Sequence, residues 1–126
     1  MSTIAIGDRG ISVTTVSEAD TAIQLGSGDV PVLATPRAIA WLEAAAIAAL
    51  GDLAPGMTSV GINISVDHTS PTLVGAEIRA VAEVRAVEGP RVEFDVRAFE
   101  GESIIAGGTH TRVIVDRQRF LMRAQG

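Results

Sequence analysis

Residues 38–50, AIAWLEAAAIAAL, hold twelve apolar side chains and one carboxylate, Glu43. An ionised carboxylate is costly to take out of water unless it is paired and hydrogen-bonded. Two roles fit: an acid whose stem lies in the core and whose head reaches solvent or pairs with an arginine, or a desolvated carboxylate that serves as nucleophile or general base. His68 closes the stretch SVGINISVDH. There it is either a satisfied histidine at a strand end or a proton carrier pointing into the cavity that holds the helix. Thr35, just ahead of Pro36, reads first as a helix N-cap, and the same placement sets a hydroxyl beside free backbone N–H groups that can stabilise an oxyanion. Arg112, in GGTHTRVIV, is a surface residue or ion-pair partner, or else a counter-ion for Glu43 or a clamp for an anionic substrate group. Gly61 interrupts a β-branched strand, a mark of close backbone approach. Thr35 and Glu43 stand eight residues apart, about 12 Å of helical rise. They meet only if the helix start bends or a second subunit supplies one of them.

The remaining composition narrows the chemistry. The chain of 126 residues fits one domain, residues 1–126. It has no cysteine and two histidines, which excludes disulfides, thiolate metal sites and a cysteine nucleophile and leaves little for a metal centre. No lysine is present, so a Schiff base is excluded as well. A net charge of -5, with one Trp, three Phe and no Tyr, argues against nucleic-acid binding. No apolar run reaches the roughly 18–20 residues that span a bilayer, and no basic N-terminal region leads into an apolar signal segment. A cytoplasmic protein is expected, with no membrane or nucleic-acid partner.

The elements that must position these groups follow from periodicity. Residues 11–25, ISVTTVSEADTAIQL, read as an N-terminal strand, and GSGDVP as a loop. A helix over LATPRAIAWLEAAAIAALGD begins at Thr35 and ends before Gly51; apolar on nearly every face, it must be enclosed on most sides. In the next stretch Val60, Ile62, Ile64, Val66 and His68 alternate with Gly61, Asn63, Ser65 and Asp67, the period of a half-buried strand. Two further alternating strands, over residues 76–87 and 91–98, and a last one over IIAGGTHTRVIVD form an antiparallel meander. The tail over residues 117–126 reads as a frayed helix or a flexible end. These elements give an α+β fold, a curved antiparallel sheet around one central helix. A long edge strand left bare favours dimerisation by edge pairing.

The order of strand, ATPRAIAWLEAAA helix, SVGINISVDHTSPTLVG, two alternating strands and GGTHTRVIV resembles the hot-dog fold thioesterases, most closely the fluoroacetyl-CoA thioesterase-like family. The resemblance covers roughly residues 10–118. Its active-site pattern is a threonine before the central helix, a glutamate within it, a histidine ending the next strand, a glycine seven residues earlier, and an arginine in the last strand. Thr35, Glu43, His68, Gly61 and Arg112 stand at the matching places. The resemblance implies a homodimer that hydrolyses a small or medium acyl-CoA thioester in clefts between subunits, with no cofactor and no metal. Glu43 would attack the thioester carbonyl or activate water, His68 would carry protons, and Thr35 would orient or polarise the acid. The Gly61 backbone, from the other subunit, would lie against the substrate carbonyl, with Arg112 positioning the acid or facing CoA.

One departure concerns specificity. The fluoroacetyl-specific member has phenylalanines before the helix that gate the acyl pocket, whereas LGSGDVPVLAT has no aromatic residue. Trp41 is either plain core or part of the acyl cavity. Two other readings stand beside hydrolysis: an enoyl-CoA hydratase or dehydratase on the same fold, invited by Asp67-His68, and a non-catalytic acyl-CoA-binding module.

Overall fold

The structure is a computed structural model that describes residues 3–126. Strand β1 spans Arg9–Thr15, followed by a 3-10 turn, Glu18–Asp20, and a short helix α1, Ala22–Leu25. The central helix α2 spans Thr35–Leu50. Strands β2 (Met57–His68), β3 (Glu77–Glu88), β4 (Arg91–Glu100) and β5 (Ser103–Asp116) lead into a terminal helix α3 (Arg117–Gln125). The sheet is antiparallel, in the order β1-β3-β4-β5-β2, so the meander of β3, β4 and β5 lies between two edge strands.

The first expected strand is shorter than its sequence implies, ending at Thr15 rather than at Leu25. Short polar side chains outcompete the ladder there. Ser17 and Asp20 form a capping box: the Asp20 carboxylate accepts the Ser17 N–H at 2.8 Å and its hydroxyl at 2.9 Å. Thr21 then starts α1, accepting the Gln24 N–H. The tail is also helical, with Asp116 capping α3 by accepting the Arg119 N–H at 3.0 Å.

Helix α2 is alanine-rich and carries Pro36 in its first turn, and it ends at Gly51, whose φ of 67° favours glycine. Its small residues let it lie close to the sheet. Leu42, Ala45, Ala46 and Ala49 are buried against the alternating apolar faces of β3 (Ile78, Ala80, Ala82, Val84) and β4 (Val92, Phe94, Val96, Ala98). Complete burial of Leu42 and of Phe94 contributes about 1.5–3 kcal/mol each. Beneath the helix, β1 approaches so closely that a Cβ on Gly10 would overlap the backbone of Ala45 and Ala49. Only glycine fits that crossing.

Enclosure of α2 on most sides is not what one protomer provides. The face opposite the sheet leaves Ala40 and Ala48 exposed and Ile47 at 52% exposure, with Ile39, Glu43 and Ala44 half-covered. The helix is apolar all round because its two sides answer different demands: one packs on the sheet, the other is bare in the isolated protomer. Trp41 packs, partly buried, against the core.

Strand β2 also departs from simple alternation. Its register with β5 runs Gly61↔Arg112 and then Asn63↔Thr111, a bulge that leaves Ile62 unpaired and 49% exposed. Before the bulge the odd-numbered residues Ser59 and Gly61 face the helix side, where Ser59 bonds Arg112 and Gly61 lies against Glu43; after it the even-numbered ones do, with Ile64 opposite His110 and His68 opposite Ala106. Val60 therefore does not share a face with Ile64 and Val66. Gly61 and His68, seven positions apart, share the helix side only because this bulge shifts the phase of the strand.

Candidate active site

Thr35 is the first residue of α2 rather than its cap. Ala34 holds the cap position and makes no side-chain cap bond. Freed from capping, the Thr35 hydroxyl lies 2.7 Å from Nδ1 of His68, joining the helix start to the end of β2. The other ring nitrogen, Nε2, is buried with no hydrogen-bond partner among the described residues. Asp67 points away, exposed, so the Asp-His pair suggested by the sequence does not form. Thr35 and His68 sit in the wall of an open cleft of about 360 Å³, with Ser27, Asp29, Val30 and Pro71 among its other lining residues and no aromatic one except His68.

A second cluster lies further along the helix. Arg112, only 5% exposed, donates from Nη1 to Oε2 of Glu43 at 3.0 Å, from Nε to the Ser59 hydroxyl at 2.9 Å and from Nη2 to the Ser59 carbonyl at 3.2 Å. The ion pair answers the question of how the apolar helix tolerates its acid. Glu43 is nevertheless not sealed off: its side chain remains 37% exposed, and Oε1 takes none of these bonds. A Cβ on Gly61 would stand 2.6 Å from Oε2 of Glu43, so the bare backbone of β2 lies directly against the carboxylate. Gly61 and Glu43 meet within one protomer.

His110 completes this cluster and is the residue the sequence reading passed over. Its Nδ1–H donates to the Asn63 carbonyl at 2.7 Å, and its Nε2 lies 3.2 Å from Nη1 of Arg112. A guanidinium can only donate, so Nε2 accepts and the ring is neutral. Burial pushes the imidazole below its ordinary value of 6.5; the Asn63 hydrogen bond opposes this, Arg112 adds to it, and Glu43 opposes it. The available signal was parity: His110 shares the strand face of Arg112. An imidazole that is neutral in the fold and free to protonate when unfolded makes stability depend on pH. The unfolded chain binds the extra proton below its ordinary value, so this contribution is complete above about pH 6.5 and is lost on acidification through the lower native value. Urea unfolding of His110→Gln and the unsubstituted chain between about pH 7.5 and 5 is expected to show a smaller acid loss in the variant.

The five expected residues therefore form two groups: Thr35 with His68, and Glu43 with Gly61 and Arg112. Helix geometry holds the two apart by about 12 Å along α2.

Comparison with known proteins gives a consistent picture. Residues 16–118 match the family described as FlK, fluoroacetyl-CoA-specific thioesterase. The fluoroacetyl-CoA thioesterase of Streptantibioticus cattleyicolor is 37% identical over 90 residues, which is 71% of this chain and 65% of that protein; the match thus spans just under two thirds of the relative's length. A solved structure of the fluoroacetyl-CoA thioesterase FlK superposes with a TM-score of 0.92 at 30% identity, covering 98% of this chain and 97% of the other. A phenylalanine-to-alanine mutant of that enzyme, in complex with fluoroacetate and CoA, gives 0.85 at 32% identity over 92% and 98%. The fold shared with these structures is the hot-dog fold, the α+β arrangement expected from the sequence.

Proposed function

The chain belongs to the family of fluoroacetyl-CoA-specific thioesterases, and we propose that it is a thioester hydrolase acting on a small or medium acyl-CoA as a homodimer. The observation that carries this reading is the Glu43 carboxylate: one oxygen anchored on a buried arginine, the other unengaged, and a glycine backbone pressed against it. An anchored acid with a free oxygen is suited to attack a thioester carbonyl or to take a proton from water. His68 supplies the leaving CoA sulfur with a proton, and the Thr35 hydroxyl holds the ring through Nδ1. The net reaction is thioester and water giving a carboxylic acid and free CoA thiol. The Gly61 backbone lies against the substrate carbonyl, and Arg112 keeps the acid in place.

Dimerisation joins the two groups. Strand β2 is a twelve-residue edge, paired on one side only. Antiparallel pairing with its own copy about a twofold axis near residues 64 and 65 sets Gly61 of one protomer close to His68 of the other. Each site then takes Glu43, Gly61 and Arg112 from one protomer and Thr35 and His68 from its mate. The same pairing covers the bare apolar side of α2 and brings a neighbour to the unpartnered Nε2 of His68.

The acyl group follows from the cleft. With no phenylalanine in the segment before α2, the wall beside Thr35 and His68 combines small and aliphatic residues with the polar Ser27, Asp29, Thr69 and Ser70, and leaves room for acyl chains longer than two carbons. A CoA ester as substrate fits a cytoplasmic protein. An acyl-CoA panel read by free-thiol release tests the reading: turnover is expected on short to medium chains, with fluoroacetyl-CoA a poor substrate. An enoyl-CoA absorbance change without free thiol would replace hydrolysis by hydration, and saturable binding without turnover would replace it by a carrier role.

A further inference from the structure

Beyond the five residues already assigned, and resting on the thioesterase reading, we propose that His110 is a positioning residue, which couples the bulge of β2 to the orientation of the Glu43 carboxylate through Arg112. It touches no substrate atom in this scheme. Its side chain is 2% exposed, lies between β2 and β4, and stacks on Phe94 with ring centroids 6.0 Å apart. One nitrogen donates to the carbonyl of Asn63, the residue at which the ladder resumes after the bulge. The other accepts from the same Arg112 nitrogen that donates to Glu43.

The geometry leaves little freedom among these groups. A Cβ on Gly61 would lie 3.1 Å from Cε1 of His110 and 3.2 Å from Nη1 of Arg112, besides its clash with Glu43. The ring thus fills the space under the bulge while tying down its carbonyl. With Nδ1–H committed to Asn63, Nε2 can only accept, and this fixes which guanidinium nitrogen faces the acid. An apolar replacement would fill the core equally well but would release both the bulge and the guanidinium. Since the bulge sets Gly61 against Glu43 and sets His68 on the same side, its release displaces backbone and acid together.

Three variants test this: His110→Phe, which keeps the stack and removes both bonds, His110→Asn, and His110→Gln, whose amide oxygen can still accept from Arg112. Displacement of the acid by a fraction of an ångström is expected to lower kcat of acyl-CoA hydrolysis about 10- to 100-fold in His110→Phe, with KM within about threefold. His110→Asn, whose amide can still donate to the Asn63 carbonyl but is too short to reach Arg112, and His110→Gln both fall between. Independently of turnover, amide exchange at residues 61–63 is expected to accelerate at least about tenfold, and the Arg112 Nε–H resonance to shift. A folded His110→Phe with wild-type kcat and wild-type exchange overturns the proposal. So does a loss of kcat with unchanged exchange and an unchanged Arg112 resonance. Should His110→Phe fail to fold, the same readouts on His110→Gln decide. Should the unsubstituted protein hydrolyse none of the panel, the thioesterase reading fails by itself, and exchange with the Arg112 resonance alone decides the coupling.

Discussion

Under the proposed function, Glu43→Gln is expected to lower acyl-CoA hydrolysis by at least about 100-fold, the usual scale for loss of an essential acid-base group, with the proposed dimer persisting. The substitution preserves volume, and the amide oxygen still accepts from Nη1 of Arg112. What it removes is the charge and basicity of the free oxygen. Arg112 loses its counter-charge, but the pair is partly solvated at Glu43 and the guanidinium keeps both bonds to Ser59. Loss of stability should therefore stay near about 1 kcal/mol, far less than for a fully buried pair. Steady-state kinetics beside urea unfolding separates the two effects. A variant that folds, dimerises and turns over at the wild-type rate removes Glu43 from the chemistry and leaves it a structural ion-pair acid.

Two variants expected to be inactive are also expected to restore activity when combined. If Glu43 acts with the second protomer's His68, a dimer of Glu43→Gln with His68→Ala has one site carrying both intact groups and one lacking both. Random exchange makes half of the dimers mixed, so refolding the two together in equal amounts should return about one quarter of wild-type activity. If Glu43 instead acted with His68 of its own chain, every site would lack one group and the mixture would stay as inactive as its components. The helix supports the first outcome, since eight residues of α2 separate the Thr35–His68 pair from the acid by about 12 Å. The experiment reads the dimer and the composition of the site in one measurement.

The unequal legibility of these residues has physical causes. The strands β3 and β4 were readable because, apart from Val81 in β3 and Phe99 in β4, each alternates apolar and charged residues up to the bulges near Val84 and Ala98, and burial follows that alternation. Helix α2 was readable from its alanine content and from Pro36 and Gly51. Its start was off by one role: local rules favour Thr35 over Ala34 as the cap, yet Ala34 holds that position and the Thr35 hydroxyl instead meets His68, thirty-three residues away. The bulge in β2 was hidden for the opposite reason. Val60, Ile62, Ile64 and Val66 form an unbroken period-two pattern, and only pairing with β5 and the His110 bond to Asn63 show where the phase changes.

The chain by itself determined the class of fold and the order of its elements and singled out five residues whose types could do chemistry, because hydrophobic period and residue chemistry are local properties; a thioester site among them is what the family resemblance implies. Tertiary structure decided how those residues are grouped. It gave Arg112 to Glu43, gave Thr35 to His68, brought Gly61 and His68 to one side of β2, and drew in His110, whose chemistry is silent until β2, β4 and β5 are laid side by side. Such groupings depend on strand register and on distances along a rigid helix, and they form only when residues far apart in the chain are packed together.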